Sequence, residues 1–163
     1  MGTKAREIAG VNVDELLKML NKAYADEWLA YYQYWVGAKV AVGRMRGIIA
    51  KELEEHATEE LKHAGMLTER IVTLGGTPLL TPQDLLKESG CGYDAPSDPD
   101  TKKLVAQNIK GEQCAIVTYK KILDYVAGKD PVTYRIILDI LEDEIEHEED
   151  LEAILADMGV PAK

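Results

Sequence analysis

The sequence predicts an all-α fold, an antiparallel four-helix bundle with one long crossover between its second and third helices. Three observations predict it. Four long segments repeat apolar residues at intervals of three and four, the stripe left by helices packing at a shallow angle. No segment alternates β-branched and polar residues at the period of a strand. The connections run short, long, short, which makes two antiparallel hairpins joined by one crossover.

The first helix is expected from Val13 to about Val42, with Asn12 as cap and Glu15 completing a capping-box pattern. Its inward seam runs Leu16, Leu20, Ala23, Glu27, Tyr31, Tyr34. A short turn at Gly43 to Gly47 leads to the second helix, about Ile48 to Leu74, with seam Leu53, His56, Glu60, His63, Leu67, Ile71, Leu74. Gly75 and Gly76 end it as C-terminal glycines do. The crossover, Gly76 to Pro99, is rich in Pro, Gly, Ser and Asp and holds a short helix at about 82–88, capped by Thr81. Asp98 and Pro99 read as the cap and first residue of the third helix, about 99–127, with seam Val105, Ile109, Glu112, Ile116, Tyr119, Leu123, Val126. Asp130 and Pro131 repeat that signal for the fourth, about 131–158, with seam Ile137, Ile140, Glu144, His147, Leu151, Ile154, Met158. The expected organisation is one domain over residues 1–163.

Composition removes several function classes. No apolar run approaches the roughly 20 residues that span a bilayer, and Met1 to Gly10 lacks the apolar core of a secretion signal, so a cytoplasmic, non-membrane protein is expected. The formal charge is −10, from 29 acids and 19 bases. Lys4 and Arg6 are too few to make the basic patch that nucleic acid needs, so no nucleic-acid partner is expected.

The chemistry lies in the polar residues on the apolar seams. Glu60 with His63 and Glu144 with His147 form two Glu-x-x-His pairs, and the chain has 3 histidines in all. Residues three apart on a helix share a face, so each pair can hold one ion. A solitary seam Glu stands 33 residues before the first pair (Glu27) and 32 before the second (Glu112), so the two hairpins form a pseudo-repeat. Four carboxylates facing one another in an apolar bundle would repel, whereas two divalent cations balance their charge and two neutral imidazoles complete the ligand set. Glu27, Glu60, His63, Glu112, Glu144 and His147 are therefore both the metal ligands and the catalytic residues of this reading. Oxygen and nitrogen donors without thiolate suit iron, with manganese or zinc as other occupants. Two adjacent Fe(II) ions can give up two electrons together to hydrogen peroxide or O2.

Asp143 lies four residues before His147, and Glu59 is its counterpart in the other half; each reads either as a partner orienting an imidazole or as a surface charge. His56, one turn before Glu60, reads as an ordinary partly buried imidazole, with an accessory iron ligand as the alternative. Tyr24, Trp28, Tyr31, Tyr34 and Trp35 surround Glu27 chiefly as packing, with Tyr31 and Tyr34, one and two turns past it, alternatively read as donors of an electron or a hydrogen bond near the metals. Cys114 is two positions past Glu112, about 200° around the helix, which removes it from the metal-facing stripe. Cys91 and Cys114 read as a thiol pair or a disulfide tying the crossover to the bundle, with a redox role left open.

The stretch from Glu59 to Pro78, EELKHAGMLTERIVTLGGTP, resembles bacterioferritin and its relatives, and the C-x22-C pair resembles the Dps-like family, also called thioferritins. The resemblance implies a ferritin-like bundle, the same six ligands, and a homo-oligomeric cage of twelve subunits that oxidises Fe(II), preferring hydrogen peroxide, and stores ferric mineral against oxidative stress. Haem is not expected, because Leu61 stands where bacterioferritins carry a haem-ligating Met. The chain is not expected to add the fifth helix that larger shells use, nor a rubredoxin domain, since it has no CxxC pair. All six ligands come from one chain, unlike Dps proteins with a site between subunits. The alternatives are a di-manganese catalase or di-iron peroxidase without storage and, less in keeping with the acidic charge, a DNA-coating Dps protein.

Overall fold

A computed structural model describes residues 3–159. Six helices follow in order: α1 Thr3–Glu7, α2 Val13–Val40, α3 Arg46–Thr73, α4 Pro82–Glu88, α5 Thr101–Val126 and α6 Pro131–Asp157. The four long ones form the bundle, with α2 packed along α3 and α5 along α6. No strand is present among the described residues, in keeping with the all-α expectation. No described helix is long and apolar enough to cross a membrane.

The ends of the helices show where local signals held and where tertiary contacts moved them. Asn12 accepts the amides of Asp14 and Glu15 at 3.1 and 3.2 Å and caps α2. The capping box is only half made, because the Glu15 carboxylate faces Lys18 at 3.5 Å instead of reaching back. α2 stops at Val40, two residues short of the expected end, because Val42 pairs with the chain before α5. The Val42 amide donates to the Pro99 carbonyl at 2.8 Å, and Thr101 N donates to the Val42 carbonyl at 3.0 Å. That pairing runs up to Asp100, so α5 begins at Thr101 with Asp100 as cap, not at Asp98 and Pro99. Gly43 (φ 111°) makes the turn at this junction, where a Cβ would stand 3.2 Å from an Asp100 carboxylate oxygen.

α3 starts at Arg46, two residues earlier than expected, after Met45 adopts a left-handed conformation (φ 58°) with no side-chain cap. At its far end Gly75 is left-handed and the Gly76 amide donates to the Ile71 carbonyl at 2.9 Å. Thr81 caps α4. Asp130 caps α6, accepting the amides of Val132 and Thr133, with Pro131 at the first position. The five-residue α1 is too short to carry a periodic signal; Arg6 ties it to the Leu74 carbonyl and pairs with Asp14.

The core divides into two apolar clusters. One holds Leu16, Leu20, Leu67, Ile71, Ile122, Ile137 and Ile140; the other holds Leu53, Ile49, Leu104, Val105 and Leu151. Full burial of each such side chain stabilises the fold by about 1.5–3 kcal/mol. Between the two lies a layer where the seams turn polar. Of the expected seam residues, Tyr31, Ile116, Ile154 and Met158 are half-buried and the rest are buried.

Candidate metal centre

α2 carries Glu27 into the polar layer, α3 Glu60 and His63, α5 Glu112, and α6 Glu144 and His147. None is more than 3% exposed. They converge as two overlapping groups, Glu27, Glu60, His63 and Glu144 in one and Glu60, Glu112, Glu144 and His147 in the other, and both lie between the apolar clusters. Glu60 and Glu144 belong to both groups and divide their oxygens between them. His63 Nδ1 is 3.6 Å from Glu60 Oε2 and 3.1 Å from Glu144 Oε1, while His147 Nδ1 is 3.4 Å from Glu60 Oε1 and 4.0 Å from Glu144 Oε2. Glu27 Oε2 completes the first group at 3.4 Å from His63, and Glu112 Oε2 the second at 3.9 Å from His147.

The outer atoms of these residues are all held. His63 Nε2 donates to Asp143 at 3.0 Å, and His147 Nε2 donates to Glu59 at 2.7 Å. Each imidazole is thus oriented by the helix of the opposite hairpin: Asp143 serves His63, not the His147 on its own helix. The Tyr119 hydroxyl donates to Glu27 Oε1 and the Tyr34 hydroxyl to Glu112 Oε1. Both tyrosines stand seven residues after the carboxylate on their own helix, a repeated Glu-x6-Tyr spacing that would have revealed the role of Tyr119. Tyr31 makes no such bond and packs edge-to-face on Trp28 at 6.0 Å.

The inner atoms are not held. Glu27 Oε2, Glu60 Oε1, His63 Nδ1, Glu144 Oε1 and His147 Nδ1 are buried with no hydrogen bond, although each lies 3.1–3.4 Å from another of the set. Buried polar atoms without partners are rare, because each costs about 1–3 kcal/mol. Ligands about 2.1 Å from a shared cation stand roughly 3 Å apart, so these separations fit two ions. Protons tell the same story. Burial and the neighbouring Glu144 and Glu60 push the Glu112 carboxyl well above the carboxylate range, and burial with Glu27 raises Glu60. Burial opposes charge on the imidazoles, but the carboxylates outweigh it, lifting His63 strongly and His147 to about 9. Protons therefore do, in an ion-free cluster, the neutralising that cations would do in a loaded one.

Two openings reach this layer. A cleft of about 190 Å³ between α2 and α5 touches Glu27, Glu60, Glu112 and Glu144 and is edged by Cys91 and Gly92 of the crossover. Cys91 and Cys114 form a disulfide there, with Cα atoms 5.8 Å apart, so neither thiol is free. Neither joins the ligand groups. Asp26, which the helical pattern did not single out, anchors the same crossover by accepting the amides of Gly90 and Cys91 at 2.8 and 2.9 Å and the Ser89 hydroxyl. The second opening lies between α3 and α6 and reaches His147.

Comparison with known proteins bears on the fold and the family. A family model for the ferritin-like domain matches residues 17–159. A dodecameric thioferritin, the bacterioferritin-related protein of Bacteroides fragilis, is 42% identical with a TM-score of 0.95, covering 97% of this chain and 95% of that one. The DNA protection during starvation protein of Pyrococcus furiosus is 34% identical over 91% of this chain and 81% of its own length. A bacterioferritin of Rhodobacter capsulatus is 29% identical over 85% and 81%. With the bundle, its single crossover and a matched domain spanning most of the sequence, this chain belongs to the ferritin-like family.

Proposed function

We propose that this chain is a ferroxidase that binds two Fe(II) ions at Glu27, Glu60, His63, Glu112, Glu144 and His147, oxidises them, and passes the ferric product to mineral stored in a homo-oligomeric cage. The observation that carries the reading is the set of five buried, unbonded ligand atoms that face one another, together with the divided oxygens of Glu60 and Glu144. Glu60 and Glu144 bridge the two ions. Glu27 with His63 completes one ion, and Glu112 with His147 the other.

The chain's own groups set up the electron transfer. Tyr119 and Tyr34 hold the far oxygens of Glu27 and Glu112, leaving one oxygen of each for iron. Asp143 and Glu59 keep the Nε2 protons in place, so both imidazoles present Nδ1 as lone-pair donors. Iron binding displaces the protons that the ion-free cluster carries. Two Fe(II) then give one electron each to hydrogen peroxide, which takes up two protons and leaves as two water molecules; two Fe(III) remain. Delivering both electrons together avoids the hydroxyl radical that a single electron would release from peroxide. O2, accepting the same two electrons and two protons, would yield hydrogen peroxide. Similarity to a dodecameric thioferritin supports a cage of twelve copies.

Replacing Glu60 and His147 together by Ala is expected to abolish rapid peroxide-dependent Fe(II) oxidation, followed by stopped-flow absorbance of ferric product. Oxidation at the wild-type rate would remove the site assignment. Iron retained far beyond two per subunit, on a particle of cage mass, separates storage from a catalase or peroxidase that merely turns over.

A further inference from the structure

Arg70 is a buried cation that the metal layer does not touch. It is 4% exposed and lies two turns past His63 on α3, about 10 Å along the helix. Its Nε donates to Thr133 Oγ1 at 2.7 Å and its Nη2 to Asp130 Oδ2 at 2.7 Å. The Thr133 hydroxyl donates to the same Asp130 oxygen, while Asp130 Oδ1 accepts the amides of Val132 and Thr133. Asp130 and Thr133 are buried as deeply, at the end of the bundle that holds the apolar cluster of Leu67, Ile71, Leu74 and Ile137. A buried ion pair gains little stability over apolar side chains of similar volume, and its best-attested use is to fix one packing register.

The register within its reach is that of α3 on α6. These helices belong to different hairpins and touch sparingly, whereas α2 packs closely on α3 and α5 on α6. Yet both bonds that orient the imidazoles cross between them: His63 of α3 to Asp143 of α6 at 3.0 Å, and His147 of α6 to Glu59 of α3 at 2.7 Å. Glu60 and Glu144, shared by the two ligand groups, come from the same two helices. A slide of α3 by one residue is about 1.5 Å, which would lengthen these bonds and tilt them out of line, and hydrogen bonds weaken steeply with both. Apolar ridges tolerate such a slide, because their packing geometry scatters around preferred values. A planar guanidinium does not, since its rigidly spaced donors must meet Thr133 and Asp130 together. Outside the metal layer, this is the only buried hydrogen-bonded link from α3 to α6 and its cap among the described residues.

We infer that Arg70, with Asp130 and Thr133, locks α3 and α6 at one relative height, so that Asp143 and Glu59 meet the imidazoles of the opposite hairpin. Arg70 is thus a positioning residue for the di-metal layer, acting through His63 and His147 without touching either. The role rests on the proposed two-ion reading of the layer, not on what the ions then do. The apolar clusters supply the energy that holds the helices together, and the ion pair selects the height at which the ligands converge.

The test is calorimetric titration of the metal-stripped, assembled protein with Co(II), a redox-stable probe. The double variant Arg70→Met with Asp130→Asn removes the ion pair, keeps a capping residue at the start of α6, and should hold its ion-free Tm within a few degrees of wild type. Its Co(II) affinity should nevertheless fall by at least about tenfold, the lower end of what supporting groups contribute at metal sites. Adding Asp143→Ala separates positioning from general destabilisation. That change should weaken Co(II) binding about 10–100-fold in the wild-type background but less than about threefold in the double variant, where the imidazole is already out of line. Unchanged Co(II) affinity in the double variant, or strictly additive losses, would overturn the lock. If the double variant does not fold, Asp130→Asn alone should show the same non-additivity with Asp143→Ala at reduced size, and additivity there would overturn the lock equally. Wild-type crystals soaked in Co(II) that show no anomalous peaks among the six ligands would instead overturn the two-ion reading, and the lock with it.

Discussion

Glu60→Gln should change stability in opposite directions with and without metal. Glu60 is 2% exposed, faces Glu27 and Glu144, and leaves Oε1 without a hydrogen bond. In protein stripped of metal its charge is a liability, since burial first and Glu27 next raise its carboxyl. A raised carboxyl contributes stability below the ordinary carboxylate range and loses it as pH rises through the folded value. At about pH 8 the neutral amide should therefore stabilise the ion-free fold, by on the order of 1–4 kcal/mol if it behaves like other replacements of buried charge. For a chain of this length that raises Tm by roughly 2–4 °C per kcal/mol, and the advantage should shrink toward about pH 4. With metal at a hundredfold excess over Kd, each ion stabilises the wild-type protein by about 2.7 kcal/mol, so two ions give about 5 kcal/mol and a rise of roughly 10–20 °C. The variant, lacking a bridging oxygen for each ion, should lose most of that gain. Differential scanning calorimetry of stripped and Co(II)-loaded protein reads both effects. A variant that melts lower by the same amount in both states would refute the reasoning, because Glu60 would then be a structural partner instead of a ligand.

Other outcomes follow from the surrounding contacts. Glu59→Ala and Asp143→Ala should each weaken metal binding about 10–100-fold, measured by calorimetric titration, while leaving the ion-free Tm within a few degrees, since both residues are partly exposed. Asp130→Ala should cost about 3–5 kcal/mol in chemical denaturation, because it strands the buried Arg70, whose Nη2 donates to Asp130 at 2.7 Å, and also removes the α6 cap. Burial works against the Asp130 charge, but Thr133 and Arg70 hold its carboxyl below the usual range; its contribution is thus present at neutral pH and lost as pH falls through that depressed value, so wild type and variant should converge in strong acid. Reducing the Cys91–Cys114 disulfide, which closes a loop of 22 intervening residues, should lower stability by about 3 kcal/mol and loosen the crossover beside the cleft, seen as faster amide exchange at residues 89–92.

The architecture and the inward-facing acids were legible because both rest on helical periodicity. A seam spaced by threes and fours states which side of a helix is dry, and a Glu or His on such a seam is conspicuous without knowledge of any other helix. The capping signals of Asn12, Thr81 and Asp130 were equally local and equally readable. Asp98 misled because the pairing of Val42 with the chain before α5 involves residues 57 positions apart and outranks a local cap preference. The sequence does not distinguish a free thiol pair from a disulfide at Cys91 and Cys114, since their separation depends on how the crossover folds back onto α5.

What the amino-acid order determined alone is the set of side chains that enter the polar layer, since that depends on rotation about each helix axis. What only the tertiary structure decided is which of them meet: Asp143 with His63, Glu59 with His147, Tyr119 with Glu27, Arg70 with Asp130, and His56 against His147. Those meetings depend on the relative height of neighbouring helices. Height is set by how the apolar clusters above and below the layer interdigitate, and no spacing within a single helix carries it.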